Sequence, residues 1–423
     1  MSEFAIGKLT RQGTVGSFAT LMGKRFAWMG SFVGFVAIAI MFYYSVVAGW
    51  CIRYFFQAAS GELLRITDHD ANWNTFIESG WGAVFFHFVA STLAVLVVRR
   101  GVVRGIEKAN RFLVPTLFGL ILLAAVRAVT LPGAEKGLEF LFTPNLSALL
   151  NYRIWLQALT QNAWDTGSGW GLILTYGVYM RQREDIPLNA ALIALGNNSL
   201  SLLAAIAIFS TVFATIPEGA ADMIRSPGPA NTGLTLIWLP QLFAQIPGGS
   251  TLLVLFFLAL SSLISMVELG ARILMDAKMS RGGALRVIYI ATLILGLPSA
   301  LSLDFFANQD WTWGIALMVS SAFIAIAVLR HGVDRFRTLQ INSSFSDFQV
   351  GTWYNYALRY VIPAEISVLV IWWFWQVIQA DPEHWWNPFR IESVGTCILQ
   401  WALALLLFKL ANSWIVERTS GFE

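Results

Sequence analysis

Charge is scarce in this chain. Only 13% of its residues are Asp, Glu, Lys or Arg, while 57% are hydrophobic; a soluble domain carries about 25% charge. A 423-residue chain this apolar cannot hide its hydrophobic surface in one water-soluble core, so lipid is its expected solvent. Cysteine is nearly absent. Cys51 and Cys397 both lie inside apolar runs, which excludes a disulfide scaffold and leaves them as inert core residues. A clustered basic face is missing too. The net charge is only +3, with the basic residues scattered between apolar runs, so nucleic acid is not an expected partner. Met1 to Gly16 has no apolar core and no small-residue cleavage site, so no signal peptide is expected. Without low-complexity tracts or long linkers, residues 1–423 read as a single membrane domain.

What the sequence has is long apolar runs. A helix needs about 20 largely apolar residues to cross a bilayer, and ten such runs stand near 28–56, 82–98, 112–131, 153–180, 188–216, 250–275, 285–303, 311–329, 357–379 and 392–416. The expected fold class is an all-α polytopic membrane protein with about ten transmembrane helices. Alternate loops differ in charge. One set carries Lys8, Arg11, Lys24, Arg25, Arg99, Arg100, Arg104, Lys108, Arg111, Arg181, Arg183, Lys278, Arg281, Arg286, Arg330, Arg335, Arg337 and Arg418; the other carries only Arg65, Lys136, Arg225 and Arg390. The positive-inside rule places the first set, and the C-terminus, in the cytoplasm. The proline-rich outer loop 217–249 is a candidate lid. Trp372, Trp373, Trp375, Trp385 and Trp386 read as an interfacial belt, and His87 as a hydrogen-bonded packing residue. Arg53 and Arg127 can snorkel. Glu365 has no role assignable from the sequence.

The fourth run is interrupted. Between Gln161 and Gly171 stand Asn162, Asp165, Thr166, Ser168 and three alternate glycines, Gly167, Gly169 and Gly171. Each glycine weakens a helix by roughly 1 kcal/mol against Ala, and irregular backbone at membrane depth is tolerated only where protein or a cavity surrounds it. A break at 161–171 is therefore expected, and such breaks are where transporters bind substrates and ions. Close glycine packing between helices is the plainer explanation, but Asp165 would be costly on an ordinary packing face. Ser261 and Ser262 in the sixth run, and Asn197, Asn198, Ser199 and Ser201 in the fifth, offer hard oxygen ligands suited to a hard cation; serines bonding back to their own helix explain part of this equally well.

Several motifs, in order, resemble the neurotransmitter:sodium symporter family. They are Glu3 to Gly13 (EFAIGKLTRQG), Tyr43 to Trp50 (YYSVVAGW), Arg100 to Lys108 (RGVVRGIEK), Leu131 to Ala134 followed by Gly137, and Gln161 to Tyr179, ending in TYGVY. The resemblance implies an inverted-repeat transporter fold lacking the first helix and most of the second. Residues 1–150 would form a truncated first repeat, 151–330 the second repeat, and 331–423 two C-terminal helices. It implies substrate contacts from Tyr44, Ile40, Trp164, Gly167, Trp170 and Met266. Sodium would be held by Ser261, Ser262, the Leu258 carbonyl and Asn197, with Asp165 as ligand or charge balance. Asp310 would be the outer gate, Asp276 the inner gate and Tyr179 its support, each gate carboxylate pairing with an arginine near the family's first helix.

The implied activity is sodium-coupled symport of an amino acid or small amine across the cell membrane, with no enzymatic role. Asp165 stands beside the place where some members bind chloride, so chloride is not expected to be required; alternatively Asp165 only caps the freed backbone of Gly167 to Gly169. Two other functions stay open: a truncated, non-transporting homologue or fragment, and a proton-coupled amino-acid permease. Because Glu3 matches the inner end of a helix, the natural gene is expected to encode roughly 40–60 further upstream residues, the length of two helices and a loop.

Overall fold

The protein is described by a computed structural model covering residues 1–216, 218–225 and 260–419, with Ile237 and Pro240 as isolated positions. Among these residues every regular element is helical. The main helices are α1 (Ser2–Thr10), α2 (Thr14–Met22), α3 (Ala27–Ala59), α4 (His69–Glu78), α5 (Trp81–Arg99), α6 (Lys108–Val129), α7 (Ala134–Phe142), α8 (Tyr152–Asp165), α9 (Leu172–Tyr179), α10 (Ile186–Thr215), α11 (Ala220–Arg225), α12 (Leu260–Asp276), α13 (Arg281–Leu301), α14 (Leu303–His331), α15 (Ile362–Ala380), α16 (Val394–Leu410) and α17 (Asn412–Arg418).

Among the described residues seven helical segments are long and apolar enough to cross a membrane: Lys24–Ala59, Trp81–Arg99, Arg104–Val129, Ile186–Thr215, Arg281–Leu301, Leu303–His331 and Trp353–Ala380. An eighth is the pair α16 and α17, bent by 58°. The remaining two of the ten expected spans are the interrupted run 153–180, divided into α8 and α9, and the run 250–275, which enters the described residues at Leu260 and ends with α12 at Asp276. The span expected at 311–329 starts earlier, at Leu303. Ser302 caps it, its hydroxyl accepting from the Phe305 amide at 3.2 Å, and a polar N-cap outweighs the acidic and amide residues of the first turns in setting the start. Most of the 217–249 loop lies outside the described residues.

α3 is the axis of the fold. It is apolar all round, as a helix enclosed by others should be, and α2, α5, α12, α13 and α14 pack around it. His87 on α5 is buried, its Nδ1 2.9 Å from the Ser45 hydroxyl of α3, as a packing residue should be. In contrast α6 and α10, which pack on each other, leave most of their surface uncovered.

α1 packs closely onto α9. A Cβ on Gly7 would stand 2.0 Å from the Leu174 carbonyl oxygen, and one on Gly177 would stand 2.7 Å from that of Phe4. Small residues here let two backbones touch. Arg11 adds hydrogen bonds to the carbonyls of Val178 (2.8 Å) and Met180, and the Lys8 ammonium donates to the Glu184 carbonyl at 2.7 Å. This contact holds the second half of the broken span.

Candidate functional site

The break in the fourth run is narrower than 161–171. Helix α8 continues through Asp165, and 166–171 are unwound before α9 begins at Leu172. Gln161 to Asp165 stays helical because its polar side chains bond along the helix: Gln161 donates to Asp165 Oδ1 at 2.8 Å, Asn162 to the Ala158 carbonyl at 3.1 Å, and Thr166 to the Asn162 carbonyl at 2.7 Å. The chain then turns on Gly167, Gly169 and Gly171, with φ of 66°, 83° and 73°. Side chains rarely tolerate that left-handed region, which explains the alternate glycines.

Unwinding frees backbone donors, and a buried carboxylate takes two of them. Glu3 Oε1 accepts from the Gly169 amide at 2.8 Å and Oε2 from the Leu174 amide at 3.3 Å. An anion at the start of α9 also meets the positive end of the helix dipole. The structure thereby corrects the capping alternative for Asp165. That side chain is exposed and bonded by Gln161, and Glu3 is the cap, because α1 lies against α9. Sequence reasoning used Glu3 only as a landmark, because nothing in the sequence links it to a break 166 residues away.

The other side of the site is α12. The Tyr44 hydroxyl of α3 faces Ser262. Below it, Tyr176 and Ser265 share a 2.5 Å hydrogen bond, and the Tyr179 hydroxyl donates to Glu268 Oε1 at 2.7 Å. Arg281 closes the ladder, reaching Glu268 Oε1 and Oε2 at 3.0 and 2.5 Å and the Val98 carbonyl at 2.8 Å. Tyr179 thus supports Glu268, with the Arg272 guanidinium 5.9 Å from its ring centre. Tyr176, Ser265, Glu268 and Arg281 were given no role from the sequence. Glu268 is a carboxylate inside an apolar run, which signals a buried partner, but only folding shows that Arg281 supplies it.

The expected substrate-contact residues lie as follows. Ile40, Trp170 and Met266 are buried in one core, with Tyr44 and Trp164 packed against it. Trp164 and Trp170 lie with ring centres 5.4 Å apart across the break. Gly167 faces open space. Ser261 and Ser262 open α12 beside this core, and Leu258 lies outside the described residues. Asn197 sits apart on α10, which packs mainly on α6 and α7, and its side-chain amide nitrogen is buried without a hydrogen bond.

The two carboxylates expected at the gates, Asp276 and Asp310, have different surroundings. Asp276 pairs with Arg272 one turn earlier at 2.8 Å and accepts from the Gly13 amide. Asp310 lines a cavity of about 330 Å³ with Trp164, Trp311, Trp373 and Glu392, beside the buried Tyr43 hydroxyl. Trp373 stacks edge-on to Trp311 at 5.0 Å, so it belongs to this cavity wall, whereas Trp375 and Trp386 are exposed as belt residues should be.

The chain resembles known proteins in sequence and in fold. Residues 77–418 match the pattern of the sodium:neurotransmitter symporter family. The chain belongs to this family. An uncharacterized sodium-dependent transporter of Methanocaldococcus jannaschii is 31% identical over 401 residues, covering 87% of this chain and 78% of that protein. The inactive sodium-dependent neutral amino acid transporter B(0)AT3 of Homo sapiens is 31% identical over 238 residues, 50% of this chain and 38% of that protein. The crystal structure of MhsT in complex with L-phenylalanine superimposes with a TM-score of 0.74 at 26% identity, covering 88% of this chain and 86% of MhsT. The fold is therefore that of a multi-pass membrane symporter, all-helical among the described residues, with its fourth apolar run broken.

Proposed function

We propose that this chain carries out sodium-coupled symport of an amino acid with an apolar side chain across the plasma membrane, its C-terminus in the cytoplasm. The observation that carries this reading is the unwound segment 166–171, which stands with Trp164 and Trp170 beside the core holding Tyr44, Ile40 and Met266. Glu3 occupies the Gly169 and Leu174 amides, so the substrate carboxylate falls to Tyr44. The two tryptophans and Ile40 form an apolar wall for its side chain, and L-phenylalanine in MhsT supports that choice. Ser261 and Ser262, with Leu258, offer oxygens for the co-transported sodium, a hard cation.

The test is uptake of radiolabelled L-phenylalanine and L-leucine into proteoliposomes with an inward sodium gradient, against equal choline or an inward proton gradient. Sodium-driven accumulation is expected, and it should lose its sodium dependence in Ser261→Ala/Ser262→Ala. Accumulation driven by protons alone, or unchanged sodium dependence in the double variant, would overturn the assignment. The similarity to the inactive human relative favours a second reading, a non-transporting homologue. Sodium-dependent binding of L-phenylalanine without any accumulation would identify it.

A further inference from the structure

The corner between α5 and α6 concentrates positive charge at a membrane surface. It joins the spans Trp81–Arg99 and Arg104–Val129, so it lies where the chain leaves and re-enters the bilayer. Arg99, Arg100, Arg104, Lys108 and Arg111 all stand here with exposed side chains, against one acidic residue, Glu107. Among the described residues none of the five side chains makes a hydrogen bond or ion pair. Arg99 and Arg100 end α5, Arg104 lies in the turn that follows, and Lys108 and Arg111 open α6, so five like charges crowd one corner and repel one another. The corner nevertheless has a tight form. Residues Val102–Glu107 make a π-helical turn, a Cβ on Gly105 would stand 2.2 Å from the Val97 carbonyl oxygen, and Val98 and Ile106 are buried in the main core. The charges are thus held together on a fixed support. Beside them Leu96 and Phe112 are exposed, Phe112 to 70%, as side chains facing acyl chains would be.

Charges fixed in this way call for a counter-charge, and a polyanionic headgroup layer meeting apolar side chains supplies it. We propose that this corner is a docking site for anionic phospholipid headgroups in the leaflet it touches. The site depends neither on which leaflet that is nor on the transported substrate, so it stands or falls separately from the proposed function.

The experiment uses the full chain in phosphatidylcholine vesicles doped with spin-labelled phosphatidylglycerol or spin-labelled phosphatidylcholine, and reads the motionally restricted fraction of each by electron paramagnetic resonance. Phosphatidylglycerol should associate several-fold more strongly than phosphatidylcholine, and added salt should reduce the preference. Arg104→Gln and Lys108→Gln should each lower it about two- to fivefold, and the double variant more. Arg104→Lys keeps the charge and should keep the preference, so comparing it with Arg104→Gln decides the matter even if the double variant does not fold. Arg286→Gln/Arg335→Gln removes equal charge elsewhere and should leave the preference intact. An equal loss in that control, or no loss at the corner, would overturn the proposal. So would displacement by millimolar glycerol phosphate, which would make the site one for soluble phosphate.

Discussion

Replacing Glu3 by Gln tests how the broken span is held. In the structure the two carboxylate oxygens accept separately, one from the Gly169 amide at 2.8 Å and the other from the Leu174 amide at 3.3 Å. Glutamine keeps one acceptor and turns the other into an NH₂ group facing a donor. Hydrogen bonds to a charged group contribute about 1.5–3 kcal/mol each, and a buried donor left without a partner costs about 1–3 kcal/mol. The 3.3 Å bond is the weaker of the two, so the expected loss is about 2–3 kcal/mol, or roughly 30- to 150-fold in the equilibrium between the braced and released break. Hydrogen exchange measured by mass spectrometry on the full chain in detergent is the assay. Peptides covering 166–175 should exchange faster by about that factor, while peptides from the centre of α3 stay unchanged. Glu3→Asp, one methylene shorter, should reach one amide only and fall between. Wild-type exchange at 166–175 in Glu3→Gln would refute the brace, and uniform acceleration across α3 would show a general loss of fold instead.

Three further outcomes follow from the same geometry. Gly7→Leu should drive a side chain into the Leu174 carbonyl, 2.0 Å from where its Cβ would stand; we expect a lower unfolding temperature and loss of substrate binding, and wild-type values for both would show that α1 and α9 need not touch. Arg281→Gln strands the fully buried Glu268 and should destabilise the fold by about 3–5 kcal/mol, whereas Glu268→Gln should be milder because Arg281 is a quarter exposed and retains the Val98 carbonyl; the reverse order in thermal unfolding would contradict the ladder. If Asp165 supplies the fixed charge, uptake by the wild type is unaffected when gluconate replaces chloride, and Asp165→Ser loses uptake without chloride and regains part of it with chloride; a wild type that needs chloride ends that idea.

Much of the fold can be read directly from the chain. The apolar runs locate the spans because about 20 apolar residues can only be accommodated by lipid or by a wholly enclosed helix. The alternate glycines announce the break because nothing else in a helix tolerates three left-handed turns so close together. The exact limits of the break depended on local side-chain bonding: Gln161, Asn162 and Thr166 extend the helix to Asp165 although their polarity alone suggests unwinding. Ser302 likewise moved the start of α14, through a single cap.

Partnership was what the sequence could not supply. Glu3 and Gly169 are separated by 166 residues, Tyr176 and Ser265 by 89, and no periodicity relates residues so distant. Hydropathy registers a carboxylate only as a cost, and it does not say which donor meets that cost. Composition and spacing therefore determined that this is a multi-pass helical protein with a broken span and a hydroxyl-bearing helix. Only the packing of α1 on α9 and of α12 on α9 and α13 decided that Glu3 rather than Asp165 braces the break, and that Glu268, Tyr179 and Arg281 form one ladder. A buried polar group must find its partner in three dimensions, and the fold chooses which one is within 3 Å.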